Sequence, residues 1–224
     1  MFEKQSQIEI EMTTFSGNSS NQTTTGTRKA DTINGGAGND TLSGGRGQDQ
    51  ILGGNDDDSI NGGRNDDSVR GGNGNDTIRG GSGDDRIGGG EGDDNLRGGR
   101  GADTLTGGLG NDVLLGGAGD DTLIGSTLRS VDATAEMDIL FGGTGADRFI
   151  LATKDKELYI ELGDADFALI RDLTVQDSVQ LLGSADRYQF ETVGGDATVS
   201  LDGDLIAIAK NVDADFLMSR AVYV

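Results

Sequence analysis

Through the middle of this chain one apolar position recurs at every ninth residue. From Gly35 to Ile124 the sequence divides without a gap into ten units of nine residues, each with one branched aliphatic at its eighth place. These are Leu42, Ile51, Ile60, Val69, Ile78, Ile87, Leu96, Leu105, Leu114 and Leu123. The first three units read GGAGNDTLS, GGRGQDQIL and GGNDDDSIN, and the last reads GGAGDDTLI. Six residues dense in Gly, Asn and Asp suit a turn, because these types best tolerate positive φ. The remaining three, such as the TIR of residues 77–79, predict a minimal strand whose middle side chain faces inward. Two units then form one eighteen-residue coil, turn–strand–turn–strand. Stacked coils yield two short parallel sheets with the eighth-place residues between them.

The repeat has an eleventh complete unit, GGTGADRFI at 142–150, and two degenerate ones. GTRKADTIN (26–34) keeps Asp31 and Ile33; ATAEMDILF (133–141) keeps Asp138 and Leu140 and follows an eight-residue insertion, GSTLRSVD. Worn units are expected at the ends of a solenoid or beside a loop. From Leu151 glycine thins out and apolar alternation appears, predicting strands at 167–173, 177–182, 188–193, 197–201 and 205–209. Asp202-Gly203 and Gly194-Gly195 are the expected hairpin turns. The chain thus divides into an N-terminal segment (1–25), a repeat region (26–150) and a small antiparallel β region (151–224) that continues the roll. Its expected dock is the end of the array, where DVLLGG and DTLIGS put apolar residues on the outer face.

Each unit also carries an aspartate at its sixth place: Asp40, Asp49, Asp58, Asp67, Asp76, Asp85, Asp94, Asp103, Asp112 and Asp121, with Asp147 in the eleventh. With two units to a coil, alternate aspartates stack on one edge and the rest on the other. Coils lie about 4.8 Å apart. Neighbouring carboxylates at that distance repel by roughly 3–4 kcal/mol at an effective dielectric near 20. One buried aliphatic per unit does not compensate for this and for the backbone entropy of ordering nine residues, glycine most of all. A metal-free repeat is therefore expected to be disordered.

Composition narrows the counter-charge. The formal net charge is −21, with 39 acidic residues against 18 Lys and Arg, which argues against nucleic acid and anionic membranes as partners. The chain has no Cys and no His, so disulfides, thiolate zinc, a Ser-His-Asp triad and imidazole ligands are all excluded. Oxygen donors remain, and these suit hard cations such as calcium and magnesium. Proline is absent too, which leaves the backbone N–H groups free for ladder bonds. No apolar run is long enough for a transmembrane helix, and the first twenty residues lack the basic end and apolar stretch of a signal peptide.

The GGxGxD pattern followed by a large apolar residue two places on resembles the RTX, or hemolysin-type calcium-binding, nonapeptide repeat. The resemblance implies an all-β, right-handed parallel β-roll of eighteen-residue coils. It implies several Ca2+ ions shared between turns eighteen residues apart, with the eleven sixth-place aspartates named above as metal ligands. Carboxylates and turn carbonyls supply the six to eight oxygens calcium takes, and the binding energy becomes folding energy. The stretch at 164–190 and the later LDGDLIAIAKNV resemble the C-terminal region of small secreted members. There the C-terminus carries an uncleaved type I export signal. The final AVYV is read either as part of such a signal or as a simple edge strand.

Departures from the motif carry expectations of their own. Asp56 and Asn65 stand where the family has glycine, and are the residues best able to follow it into left-handed geometry; distorted sites are expected there. The fifth-place acids Asp57, Asp66, Asp84, Asp93 and Asp120 read as solvated side chains, and the ninth-place Arg70, Arg79 and Arg97 as charges on an outer face. No helix follows the turns as a phosphate loop requires, and no EF-hand loop is present. The expected protein is a non-enzymatic, extracellular calcium binder that crosses the envelope unfolded through type I machinery and folds where calcium is abundant. Two other readings are the export module of a larger enzyme or toxin, and an adhesive surface component holding cell-surface polysaccharide. No HExxH or GxSxG motif offers catalysis, and Asp164 with Asp166 makes no convincing glycosidase pair.

Overall fold

The computed structural model describes residues 14–126, 136–153, 156–157, 167–181, 183–201 and 204–224. Two short strands lead in, β1 (Thr14–Ser16) and β2 (Thr23–Thr25). Ten strands of six residues follow: β3 (Thr32–Ala37), β4 (Thr41–Arg46), β5 (Gln50–Asn55), β6 (Ser59–Arg64) and β7 (Ser68–Asn73) come first. Then come β8 (Thr77–Ser82), β9 (Arg86–Glu91), β10 (Asn95–Arg100), β11 (Thr104–Leu109) and β12 (Val113–Ala118). The array closes with β13 (Thr122–Ser126), β14 (Met137–Thr144) and β15 (Arg148–Ile150).

Odd and even strands separate into two sheets. Through the array the first sheet runs β1-β3-β5-β7-β9-β11-β13-β15 and the second β2-β4-β6-β8-β10-β12-β14, every pairing parallel. Residues eighteen apart are partners, as with Ile60 and Ile78 or Leu105 and Leu123. The eight-residue insertion changes the offset without breaking the register, for Leu114 pairs with Leu140 and Leu123 with Phe149. The eighth-place side chains form the buried seam between the sheets. The molecule is an all-β parallel solenoid.

The strands are twice as long as the repeat pattern suggests. Hydrogen-bonded pairing runs on from the three predicted residues through the two glycines and the third-place residue of the next unit, leaving only places four to six as the turn. The two glycines serve different ends. The second, for example Gly72 at φ +131°, sits in a backbone region that side chains rarely adopt. The first has ordinary φ and is excluded from bearing a side chain by what lies against it.

After residue 150 the chain adds a small two-stranded sheet, β16 (Ala152–Thr153) with β17 (Lys156–Glu157), and then returns to the roll. The remaining strands are β18 (Phe167–Ile170), β19 (Ser178–Leu181), β20 (Tyr188–Val193), β21 (Asp196–Leu201), β22 (Asp204–Ala209) and β23 (Ala221–Tyr223). Among the described residues antiparallel order is confined to the β16–β17 pair and to β20–β21–β22. β18, β19, β22 and β23 extend the two parallel sheets. A core with so few apolar residues leaves an open end, and parallel addition covers it: Ile170 pairs with Leu140 and Val179 with Phe149. Gly194 and Gly195, at φ +64° and +92°, make the β20–β21 hairpin turn, whereas the Asp202-Gly203 turn lies outside the described residues. AVYV supplies the edge strand β23. A helix the sequence pattern did not announce, α1 (Ala214–Arg220), is capped by Asp213, whose Oδ1 accepts the Phe216 N–H at 2.8 Å, and buries Leu217 against β20 and β21.

Candidate metal centres

Each sixth-place aspartate sits where a turn becomes a strand, and its side chain folds back under the turn. Its Oδ1 accepts the backbone N–H of the residue in the same place one coil earlier, Gln22 for Asp40 and an aspartate for the rest. Asp58 accepts from Asp40 at 2.7 Å, Asp76 from Asp58 at 2.8 Å, and Asp94 from Asp76 at 2.8 Å. The other edge repeats this: Asp49 accepts from Asp31, Asp67 from Asp49, Asp85 from Asp67 and Asp103 from Asp85, all at 2.8 Å. Asp112, Asp121 and Asp147 continue the two rows. The alternation expected from two units per coil is therefore the arrangement found.

The second oxygen of each carboxylate has no partner. Oδ2 of Asp40, Asp49, Asp58, Asp67, Asp76, Asp85, Asp94, Asp103, Asp112, Asp121 and Asp147 is buried without a hydrogen-bond donor. It is aimed at the bare face of the unit's first glycine. A Cβ on Gly35 would overlap Asp40 Oδ2 and fall 2.6 Å from the Gly53 carbonyl oxygen of the next coil. The same pair of oxygens flanks Gly53 (Asp58 Oδ2, Gly71 O) and Gly107 (Asp112 Oδ2, Gly125 O). Every centre is a space no side chain can enter, with acceptors facing it.

A buried acceptor left without a donor costs about 1–3 kcal/mol, more when charged. Here the cost appears as raised pKa values. Burial pushes Asp49, Asp58, Asp76, Asp85, Asp121 and Asp147 up to about 6, and Asp67, Asp94 and Asp103 to about 7. Asp112, whose side chain is fully enclosed, is pushed to about 9. In each case desolvation leads, the donated N–H opposes it, and neighbouring carboxylates add a smaller increment. Repulsion along the row, foremost in the sequence argument, is thus secondary to burial.

A hard divalent cation fits this donor set: anionic and carbonyl oxygens, no nitrogen, no sulfur. Among the described residues no three acidic side chains converge, so backbone carbonyls have to form part of each centre.

Sequence reasoning missed the ends of both rows. Asp31 and Asp138 keep the sixth place in degenerate units and stand in line, Asp138 Oδ1 accepting the Asp112 N–H at 2.9 Å. In the first unit, where glycines are lost, Thr27 donates to Asp31 Oδ2 through both its N–H and its hydroxyl. Asp177 terminates the first-sheet row. Its Oδ1 accepts the Asp147 N–H at 2.9 Å and its Oδ2 the Thr174 N–H at 2.6 Å, leaving no orphan. Asp172 receives the N–H groups of Gly142 and Gly143, each at 2.9 Å. The signal for Asp177 was present, since Val179 follows it as an eighth-place residue follows a sixth.

The irregular turns absorb their substitutions. Asp56 and Asn65 adopt φ +72° and +75°, and the strands around them stay in register. Asp56 Oδ2 takes over the N–H of Gly38 at 2.9 Å. The fifth-place acids are exposed but not merely solvated. Asp57, Asp66, Asp84, Asp93 and Asp120 each accept a backbone N–H from the following coil at 2.8–2.9 Å. An outer ladder of side-chain acceptors therefore runs opposite in sense to the buried one.

The fold and these centres define a class: a repeat β-roll with rows of oxygen-lined candidate cation sites at its turns. The family model for the RTX calcium-binding nonapeptide repeat matches the chain in four copies, at residues 16–51, 52–87, 88–123 and 132–151. These copies span more than half its length, and the chain belongs to that family. Among solved structures it is similar to the crystal structure of extracellular lipase LipA from Serratia marcescens, at 17% identity and a TM-score of 0.41. That similarity covers 90% of this chain, which spans 40% of the lipase chain. No curated protein matches the chain.

Proposed function

We propose that this protein is a secreted, non-enzymatic calcium binder whose folding is driven by Ca2+ held between stacked turns. The observation that carries this reading is the row of buried Oδ2 atoms along each edge, each lacking a donor and, at nine of the eleven centres, sharing the bare glycine face with a carbonyl oxygen of the next coil. Asp40, Asp49, Asp58, Asp67, Asp76, Asp85, Asp94, Asp103, Asp112, Asp121 and Asp147 are the proposed ligands. Calcium there supplies the positive charge that restores the ionised carboxylate and ties one coil to the next. The protein's own part is to hold the acceptor oxygens in place: Oδ1 is anchored by a backbone N–H, and the missing glycine side chain keeps the space clear.

The same dependence suits export. A chain that stays unfolded where calcium is scarce passes the type I machinery extended and folds beyond it, so calcium gives the passage its direction. Among the described residues no helix is long and apolar enough to cross a membrane. The region from 151 to 224 is the proposed carrier of the export signal.

Far-ultraviolet circular dichroism of the full chain, first with chelator and then with calcium, tests the folding claim. The expected result is a disordered spectrum that converts cooperatively to β structure as calcium is added. Equal β content in both conditions would overturn it.

A further inference from the structure

Charge on this molecule is segregated. The strands β4, β6, β8 and β10 hold five arginines and not one Asp or Glu, although acids outnumber basic residues 39 to 18 in the chain. Arg79 and Arg97 are register partners on the outer face of the second sheet, and Arg46 pairs with Arg64 at the strand ends. Arg46, Arg64, Arg79, Arg97 and Arg100 are all exposed, and none of their guanidinium groups makes an ion pair or hydrogen bond among the described residues. Five unpaired guanidinium groups beside an excess of carboxylate need a physical reason. The acids are committed to the turns, and the β geometry holds the arginines away from them.

Beside the arginines runs a row of neutral hydrogen-bonding side chains, Thr41, Ser59, Thr77 and Asn95, in direct register. Coil spacing sets the steps of both rows at about 4.8 Å along the solenoid axis. Exposed carboxylates bracket the face at both strand ends, Asp57 and Asp93 on one side and Asp66 and Asp84 on the other. A six-residue strand makes the strip roughly 20 Å wide. A membrane plane or a nucleic acid duplex laid on it would meet the acidic borders as well as the arginines. A single strand of nucleic acid is gripped chiefly by aromatic stacking, and these four strands contain no aromatic residue.

We propose that this face binds an acidic polysaccharide lying along the solenoid axis. Arg79 and Arg97 take its carboxylates, extended by Arg46, Arg64 and Arg100, and the Thr/Ser/Asn row takes its hydroxyls. Guanidinium forks suit carboxylate geometry, and their charge-assisted hydrogen bonds are the strong kind. The acidic borders confine the polymer to one direction.

The test is fluorescence anisotropy of labelled hyaluronate oligosaccharide titrated with the calcium-loaded full chain. Neutral dextran, oligothymidine and phosphatidylserine vesicles are run beside it. Binding that weakens with salt is expected, with affinity falling roughly tenfold or more in the Arg79→Gln/Arg97→Gln double variant. Arg148→Gln, on the other sheet, is expected to leave it unchanged. Circular dichroism checks each variant; should the glutamine pair misfold, Arg79→Lys/Arg97→Lys carries the comparison, with an intermediate loss. No hyaluronate binding, binding unchanged in both pairs, or equal affinity for oligothymidine or the vesicles would each overturn the proposal. Were calcium to prove unnecessary for folding, the same titration on the metal-free chain would still decide it.

Discussion

The backbone N–H of Asp94 donates to Oδ1 of Asp112 at 2.9 Å, while Oδ2 of the same carboxylate is buried with no donor at all. One carboxylate thus does two separate jobs. One oxygen ties consecutive coils together, and the other stays open to whatever positive charge enters beside Gly107. Four predictions follow from that division of labour and from the seam behind it.

Asp112→Asn separates the two roles. The amide keeps an oxygen for the Asp94 N–H but carries no charge. In chelator the variant is expected to keep more residual β structure than the parent chain, because burial no longer penalises an ionisable group whose pKa is pushed to about 9. In calcium the sign reverses: leaving a cation short of its anionic partner is expected to cost about 3–5 kcal/mol. Circular dichroism of both proteins in chelator and urea unfolding of both in calcium read the crossover.

Acid substitutes for metal. The raised Asp values mean that the folded form binds protons more tightly than the unfolded chain, whose carboxylates titrate near 3.8. Stability from this source is fully present below about pH 4 and is lost as pH rises through 6 to 7, with Asp112 last near 9. In chelator, β content by circular dichroism is therefore expected to rise on acidification from pH 8 to pH 4. In calcium the same acidification is expected to release ions, because protons compete for the same oxygens.

Two adjacent glycines should respond oppositely to alanine. A Cβ on Gly89 would overlap Asp94 Oδ2 and come within 2.8 Å of the Gly107 carbonyl oxygen; one on Gly88 would meet nothing within 4 Å. Gly89→Ala is expected to abolish calcium binding at its centre, seen as a lower ion count in isothermal titration calorimetry. Gly88→Ala is expected to keep the full count and to stabilise the loaded chain by about 0.4–1 kcal/mol, since it only restricts the unfolded state.

Shaving the seam should be costly despite its thinness. Leu105 is the one fully buried apolar side chain of β11 and packs in the seam with Leu96 of β10 and Leu114 of β12. Leu105→Ala is expected to lose about 2–5 kcal/mol in calcium-loaded urea unfolding. The exposed Leu52, replaced by Ala, is expected to lose far less.

Much of the centre was legible beforehand, because a strict nine-residue period leaves stacking as the only way to bury the eighth-place residues. Asp40 through Asp121 fall into two rows for that reason alone. The missed members, Asp31, Asp138 and Asp177, lie where the glycines are worn away and only the spacing from aspartate to the aliphatic two places on survives as a prompt. The outer ladder of Asp57, Asp66 and Asp84 was illegible for a different reason: an exposed acid looks the same in sequence whether or not it accepts a backbone N–H.

By itself, then, the sequence determined the period, the two-sheet stacking, the seam and the choice of oxygen chemistry, since these depend only on which residue types recur and how far apart. Only the tertiary structure decided how each carboxylate divides its two oxygens, that burial outweighs repulsion in raising their pKa values, and that the final strands join in parallel. Each of these depends on atoms from different coils meeting across space, a relation that spacing along the chain does not encode.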